Sequence, residues 1–128
     1  MDDGVFSGWL LVGGQSCWRC GAGNVVILGV EVVGYGVVEA GEDLCEELAG
    51  DEWAHLREQF RLGFLRPRWS KTAGRSYWSQ GCRSCDALFG QWPLREALQE
   101  AATTGWEGVR RVGPIALPVE AVLWWASA

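Results

Sequence analysis

Apolar and polar positions change rhythm several times along the chain. Leu10 to Val12 and Val25 to Val33 are runs of Val, Leu and Ile flanked by glycine, which predicts two strands forming a hairpin. Further on the period lengthens: 42–49 and 51–62 read as helices, the second with Trp53, Leu56 and Phe60 at i, i+3 and i+7 and with Gly63 as its stop. Those three side chains are expected to be buried. From Gly63 to Arg75 no period holds and the expectation is irregular chain, followed by a short strand from Ser76 to Gln80. Pro93 suits the first turn of a helix running to Thr103, with Leu94, Ala97, Leu98 and Ala101 on one face and Gly105 at its end. The segments 109–117 and 120–126 return to strand character, with Pro114 and Pro118 confined to edges or bends.

The 128 residues are 48% hydrophobic, enough for one compact domain spanning 1–128. Eighteen glycines against four prolines, without a repeating period, predict tight turns between short elements and exclude a collagen-like or proline-rich chain. The longest apolar stretch, 25–38, is interrupted by Glu31 and three glycines, so no membrane-spanning segment is expected. The start Met1-Asp2-Asp3-Gly4 lacks the basic and apolar regions of a secretory signal, which predicts a cytoplasmic protein. The net charge of −5 is unevenly spread: −9 over 1–56, +6 over 57–83 and −2 over 84–128.

Cysteine spacing changes the picture most. Cys17-Trp-Arg-Cys20-Gly21 and Cys82-Arg-Ser-Cys85 are two Cys-x-x-Cys turns, and in a reducing compartment such pairs serve as metal ligands more often than as disulfides. Two of them facing each other supply the four thiolates of a structural Zn²⁺ site at Cys17, Cys20, Cys82 and Cys85. Gly21 strengthens the first turn, because a residue free to take positive φ lets backbone N–H groups approach the sulfurs. Arg19 and Arg83, one inside each turn, are placed to offset the thiolate charge or to lie on the surface. The rival readings are a redox pair, which needs a single motif at a strand-to-helix junction, and an iron–sulfur centre. The expected fold is therefore α+β: a small antiparallel sheet carrying two zinc knuckles, split-ribbon-like, with helices inserted between them and packed on one face. Cys45, beside Leu44 and Leu48, reads as a small buried hydrophobe.

The block Ser16-Cys-Trp-Arg-Cys-Gly21, followed later by Trp69-Ser-Lys-Thr-Ala-Gly-Arg-Ser-Tyr-Trp-Ser-Gln-Gly-Cys-Arg-Ser-Cys-Asp-Ala-Leu-Phe-Gly90, resembles a group of uncharacterised bacterial zinc-ribbon-like proteins. Those combine a CWRCG turn with a later S-x-T-A-G-x-x-Y…C-x-x-C segment. The resemblance implies the same four zinc ligands and a small zinc-ribbon-like domain, and implies no reaction. The chain departs from the pattern in having Phe89-Gly90-Gln91 where an acidic Gly-Asp step often follows.

No catalytic motif stands out. His55 is the single histidine and falls on the polar side of its helix, and neither a nucleophile elbow nor a phosphate loop is present. The basic stretch with Arg57, Arg61, Arg66, Arg68, Lys71, Arg75 and Arg83, interleaved with Trp69, Tyr77 and Trp78, is the candidate binding surface. Arginine and aromatic rings suit either a protein hot spot or a single-stranded nucleic acid, and the arginines can equally pair with the acidic run 39–52 of the same fold. Adjacent Trp124 and Trp125 on a strand point to opposite faces, which offers Trp125 to a partner or a second copy. The acidic balance favours the protein partner over nucleic acid. The expected function is thus a non-enzymatic, zinc-stabilised protein-interaction module, of the inhibitor or immunity type. The alternatives are a nucleic-acid-binding zinc ribbon using 57–83 and a thiol oxidoreductase.

Overall fold

A computed structural model describes residues 5–118. The first hairpin pairs β1 (Val5–Ser16) with β2 (Gly23–Val32), from Gly8 opposite Val32 to Ser16 opposite Gly23, so both strands run up to the first cysteine turn. β1 is far longer than its apolar run, because glycines inside it are places of close approach. A Cβ at Gly8 would lie 2.0 Å from the Glu31 carbonyl oxygen. A bulge at Leu28 shifts the register between Leu11 and Val12. It also reverses parity: Val25 and Ile27 on one side of it, and Val30 and Val32 on the other, all face one core, while Val26 and Leu28 face a second. That is why β2 reads as a continuous apolar run rather than an alternating one.

Gly34, at φ +81, turns the chain into β3 (Gly36–Glu39), an element the sequence pattern hides in a four-residue length. β7 (Val109–Pro118) pairs with the other side of β1, giving an antiparallel sheet of order β3-β2-β1-β7. Pro114, in a cis peptide with Gly113, lies in this edge strand where its register shifts, as an edge position allows. The 120–126 strand expectation lies outside the described residues.

A second sheet, order β4-β5-β6, is built from β4 (Leu65–Ser70), β5 (Arg75–Gly81) and β6 (Leu88–Phe89). The expectation of irregular chain over 63–75 is corrected here. Pro67 and the charges obscure a strand that is tolerated because β4 is an edge and Arg68 is buried within the fold. Gln80 joins the sheets, accepting from the Ile27 N–H at 2.7 Å and donating to the Ile27 carbonyl at 2.8 Å, just before the bulge.

Helix α1 (Glu42–Leu48) matches its expectation. The single helix expected over 51–62 is instead a 3-10 turn, Asp51–Trp53, followed by the short α2 (Ala54–Gln59). It ends before Gly63: Arg61 N–H bonds Glu58 O and Leu62 N–H bonds Arg57 O, a Schellman cap with Arg61 at φ +54. Trp53, Leu56 and Phe60 nevertheless pack against the core, half-buried rather than buried as expected, because the broken helix leaves them at its edge. α3 (Gln91–Thr104) ends at Gly105 and buries Leu94, Leu98 and Ala101.

Among the described residues, then, the chain is α+β with two antiparallel sheets and three helices. The helices inserted between the cysteine turns, α1 and α2, pack on one face, as expected, and α3, which follows the second turn, packs on the other. Leu44 and Leu48 of α1 join the core beneath Leu10, Val12 and Val30, whereas α3 packs with Leu11, Val26 and Leu28 beneath the opposite face. The helices therefore cover two faces, because the parity change makes β2 apolar on both. The same second core contains Cys17 and Cys82.

Candidate metal centre

The two Cys-x-x-Cys turns are the same structure built twice. In the first, Cys17 N–H bonds Ala22 O and Gly21 N–H bonds Cys17 O, while the Cys17 Sγ accepts from the N–H groups of Arg19 at 3.3 Å and Cys20 at 3.5 Å. In the second, Cys82 N–H bonds Ala87 O and Asp86 N–H bonds Cys82 O, and the Cys82 Sγ accepts from Ser84 at 3.3 Å and Cys85 at 3.5 Å. Gly21 at φ +78 and Asp86 at φ +65 hold the equivalent left-handed position. An aspartate tolerates that conformation better than most residues, and its carboxylate is held by Arg68.

The turns face each other. All four sulfurs lie within 4.8 Å of one another, with Cys17 and Cys85 3.7 Å apart and Cys20 and Cys82 3.6 Å apart. These separations are far longer than the ~2.05 Å of a disulfide. The cluster could coordinate a metal ion, with Cys17 and Cys82 buried, Cys85 half-buried and Cys20 exposed. Asn24, 6% exposed, joins the halves: its Nδ2 donates to Ala22 O of the first turn and to the Cys82 Sγ, and its Oδ1 accepts from the Arg83 N–H of the second.

The sulfurs differ electrostatically. The Cys85 N–H, then Asn24 and the Ser84 N–H, pull the Cys82 thiol down to about 6 against the effect of burial. The Cys20 and Arg19 N–H groups likewise lower Cys17. For Cys85 the Ala87 N–H acts downward, yet burial and the neighbouring sulfurs of Cys17, Cys20 and Cys82 outweigh it and push the thiol up to about 11. Four sulfurs this close cannot all carry charge without a cation between them, which is the chemistry a soft divalent ion supplies.

The remaining candidate residues are dispersed. Arg83 does not simply face solvent: its guanidinium donates to Leu62 O at 3.1 Å and lies over the Phe64 ring. Arg68, expected at the binding surface, is instead buried, with its side chain 8% exposed and bonded to Asp86, Ser79 and Phe64 carbonyls and to the Asp86 carboxylate. The absence of a side chain at Gly81 makes its room, since a Cβ there would lie 2.2 Å from the guanidinium. Cross-strand register puts Arg66, Arg68, Arg75 and Tyr77 on one face of the second sheet and Trp69 and Trp78 on the other, so an interleaved sequence does not become a mixed surface. Arg66 lies near Asp86 and over Phe64, Trp69 is 65% exposed, Lys71 is exposed in the 71–74 turn, and Trp125 lies outside the described residues. Of the acidic run, Glu42 pairs with Arg75 and Glu39 with Arg95. His55 is exposed, and burial pushes the Cys45 thiol up to about 12, an inert group.

Sequence reasoning missed a groove beside the cysteine cluster. About 1060 Å³ in volume, it is bounded by the first cysteine turn, β3, the 70–77 hairpin and the start of α3, and it exposes Trp18, Tyr35 and Trp92. Trp18 sits between the first two cysteines and donates its indole N–H to Leu88 O at 2.8 Å. The ion pairs Arg95–Glu39 and Arg75–Glu42 line it, their guanidiniums over the Trp92 and Tyr77 rings. No helix among the described residues is long and apolar enough to cross a membrane. No protein-family model, curated protein or solved structure matches this chain.

Proposed function

We propose that the four cysteines hold one structural Zn²⁺ and that the chain is a non-enzymatic module that docks a protein partner through the groove beside that site. The observation that carries the metal reading is the duplicated turn. A tetrahedron of Zn–S bonds of about 2.3 Å has edges of about 3.8 Å, and the sulfurs are already 3.6 to 3.7 Å apart across the turns. Four thiolates leave no open coordination position, the mark of a structural rather than a catalytic ion. Cys17 and Cys82 belong to the apolar cluster beneath α3, so the ion would fasten that core as well as the turns. The resemblance to bacterial zinc-ribbon-like proteins supports the same ligands.

The docking reading rests on three large rings exposed together: Trp18 at 71%, Tyr35 at 60% and Trp92 at 64%. Aromatic residues and arginine concentrate binding energy at protein interfaces, whereas the basic 57–83 stretch is largely engaged within the fold.

Native mass spectrometry with metal analysis on the untagged protein tests the first part. One zinc per chain, lost in Cys17→Ser and in Cys82→Ser, is expected, and a metal-free chain with disulfides refutes it. For the second, a complex rebuilt from purified components and lost with Trp92→Ala is expected, while a strictly monomeric chain that retains nothing at micromolar concentration refutes it.

A further inference from the structure

We propose that the cleft where the paired ends of β1 and β2 meet Arg61 and Arg83 is a binding site for a phosphate-bearing ligand. The cleft, of about 470 Å³, is lined by Gly14, Ser16, Gly23, Asn24, Arg61 and Arg83 and shares no lining residue with the groove.

Arg61 is the first clue. It occupies the left-handed position of the α2 cap, where glycine fits without strain, at φ +54. Asp86, the other side chain in this conformation among the described residues, is compensated by Arg68. For Arg61 there is no such compensation: among the described residues no ion pair or hydrogen bond holds its guanidinium. A residue that breaks a local rule without a folded-state gain is where a functional contact is expected.

The surroundings supply the rest. Arg83, its side chain 29% exposed, is oriented by Leu62 O and by the Phe64 ring, which fixes a second guanidinium on the same cleft. The carboxylate of Glu58 is 3.9 Å from Arg83 and 76% exposed, free to move aside. Two of the lining positions carry no side chain: a Cβ at Gly23 would meet nothing within 4 Å, and one at Gly14 only the Asn24 carbonyl oxygen at 4.0 Å. Larger residues there would project into open space, and glycine leaves that space to a ligand. Paired guanidiniums match phosphate oxygens in bidentate geometry, and the volume leaves room for the group that carries the phosphate.

The test uses the full metal-loaded chain in thermal melts with pyrophosphate, with inorganic phosphate, or with a single-stranded oligonucleotide, each against sodium chloride of matched ionic strength. The expected result is a rise of several degrees for the wild type, and an affinity at least about tenfold weaker in Arg61→Gly. Without ligand Arg61→Gly should melt as high as the wild type or higher, because glycine suits the cap, so loss of binding cannot be ascribed to misfolding. Protection by the small phosphates marks a free phosphate compound as the ligand, and protection by the oligonucleotide alone marks a nucleic-acid backbone. No protection by any probe, or equal protection of the wild type and Arg61→Gly, overturns the proposal. Zinc content measured on the same samples, and partner capture by the groove, are independent of either outcome.

Discussion

Replacing Asn24 by alanine tests whether the two halves of the cysteine cluster act as one site. The amide reaches Ala22 O at 3.1 Å, the Cys82 Sγ at 3.4 Å and the Arg83 N–H at 2.8 Å, and it is 6% exposed, so water cannot readily replace it. Each buried bond lost contributes about 1 kcal/mol, and groups left without partners raise the total to roughly 3 kcal/mol. For a domain of this size that lowers the melting temperature by about 10 °C. The sulfur loses a donor as well, and loss of an outer-sphere hydrogen bond of this kind weakens metal binding by about 10- to 100-fold. Melts followed by circular dichroism, and zinc competition with a chromogenic chelator, read the two effects separately. Asn24→Asp keeps the acceptor for Arg83 but sets a negative charge beside Cys82, so it should lose more metal affinity than stability. If Asn24→Ala melts within about 2 °C of the wild type and holds zinc equally well, the amide does not couple the turns and the reasoning fails.

Gly81→Ala drives a methyl group into the Arg68 guanidinium, and a loss of about 2 to 3 kcal/mol in urea unfolding is expected. Arg68→Ala strips the partner from Asp86 and from several carbonyls and should cost about 3 to 5 kcal/mol. By contrast Arg75→Ala removes an exposed pair with Glu42 and should cost less than about 1 kcal/mol, a difference that one chemical-denaturation series resolves. Cys45, raised from 9.0 to about 12, is protonated and costs nothing below pH 9, while between pH 9 and 12 its burial opposes ionisation and stability falls. Cys45→Ala should flatten that alkaline limb in pH-dependent melts, and native alkylation should leave Cys45 unmodified. Leu44→Ala and Leu48→Ala, both at fully buried positions, should each cost about 2 to 5 kcal/mol by the same denaturation measurement.

The cysteine cluster was legible because ligand chemistry is written in short local spacings, and 61 intervening residues do not change what two Cys-x-x-Cys turns offer each other. The α1 and α3 helices were legible from faces such as Leu94, Leu98 and Ala101. What stayed hidden depends on partners distant in sequence. β4 reads as irregular because the side chains it covers, Arg68 and Ser70, are polar, and an arginine is counted as a surface residue until Gly81 and Asp86 are seen around it. The length of β1 was hidden because Gly8 and Gly13 look like turn residues until their close neighbours are known. That β2 is covered on both faces was hidden at Leu28, where a single extra residue makes both faces apolar. Asn24 carries no signal at all, since nothing within its own segment requires an amide there.

The separation of the two turns also has a consequence for biosynthesis. At about 5 to 20 residues per second, the 61 residues between Cys20 and Cys82 take roughly 3 to 12 s to translate. During that interval the nascent chain presents the first two thiols without the second pair, a two-coordinate grip on any soft cation and an exposed target for oxidants. In that turn the Cys17 sulfur receives two backbone N–H bonds, from Cys20 and Arg19, which lower its thiol. The order of synthesis thus gives the first turn a period of its own, in which metal supply and redox conditions decide whether the second turn meets a ligand pair it can complete.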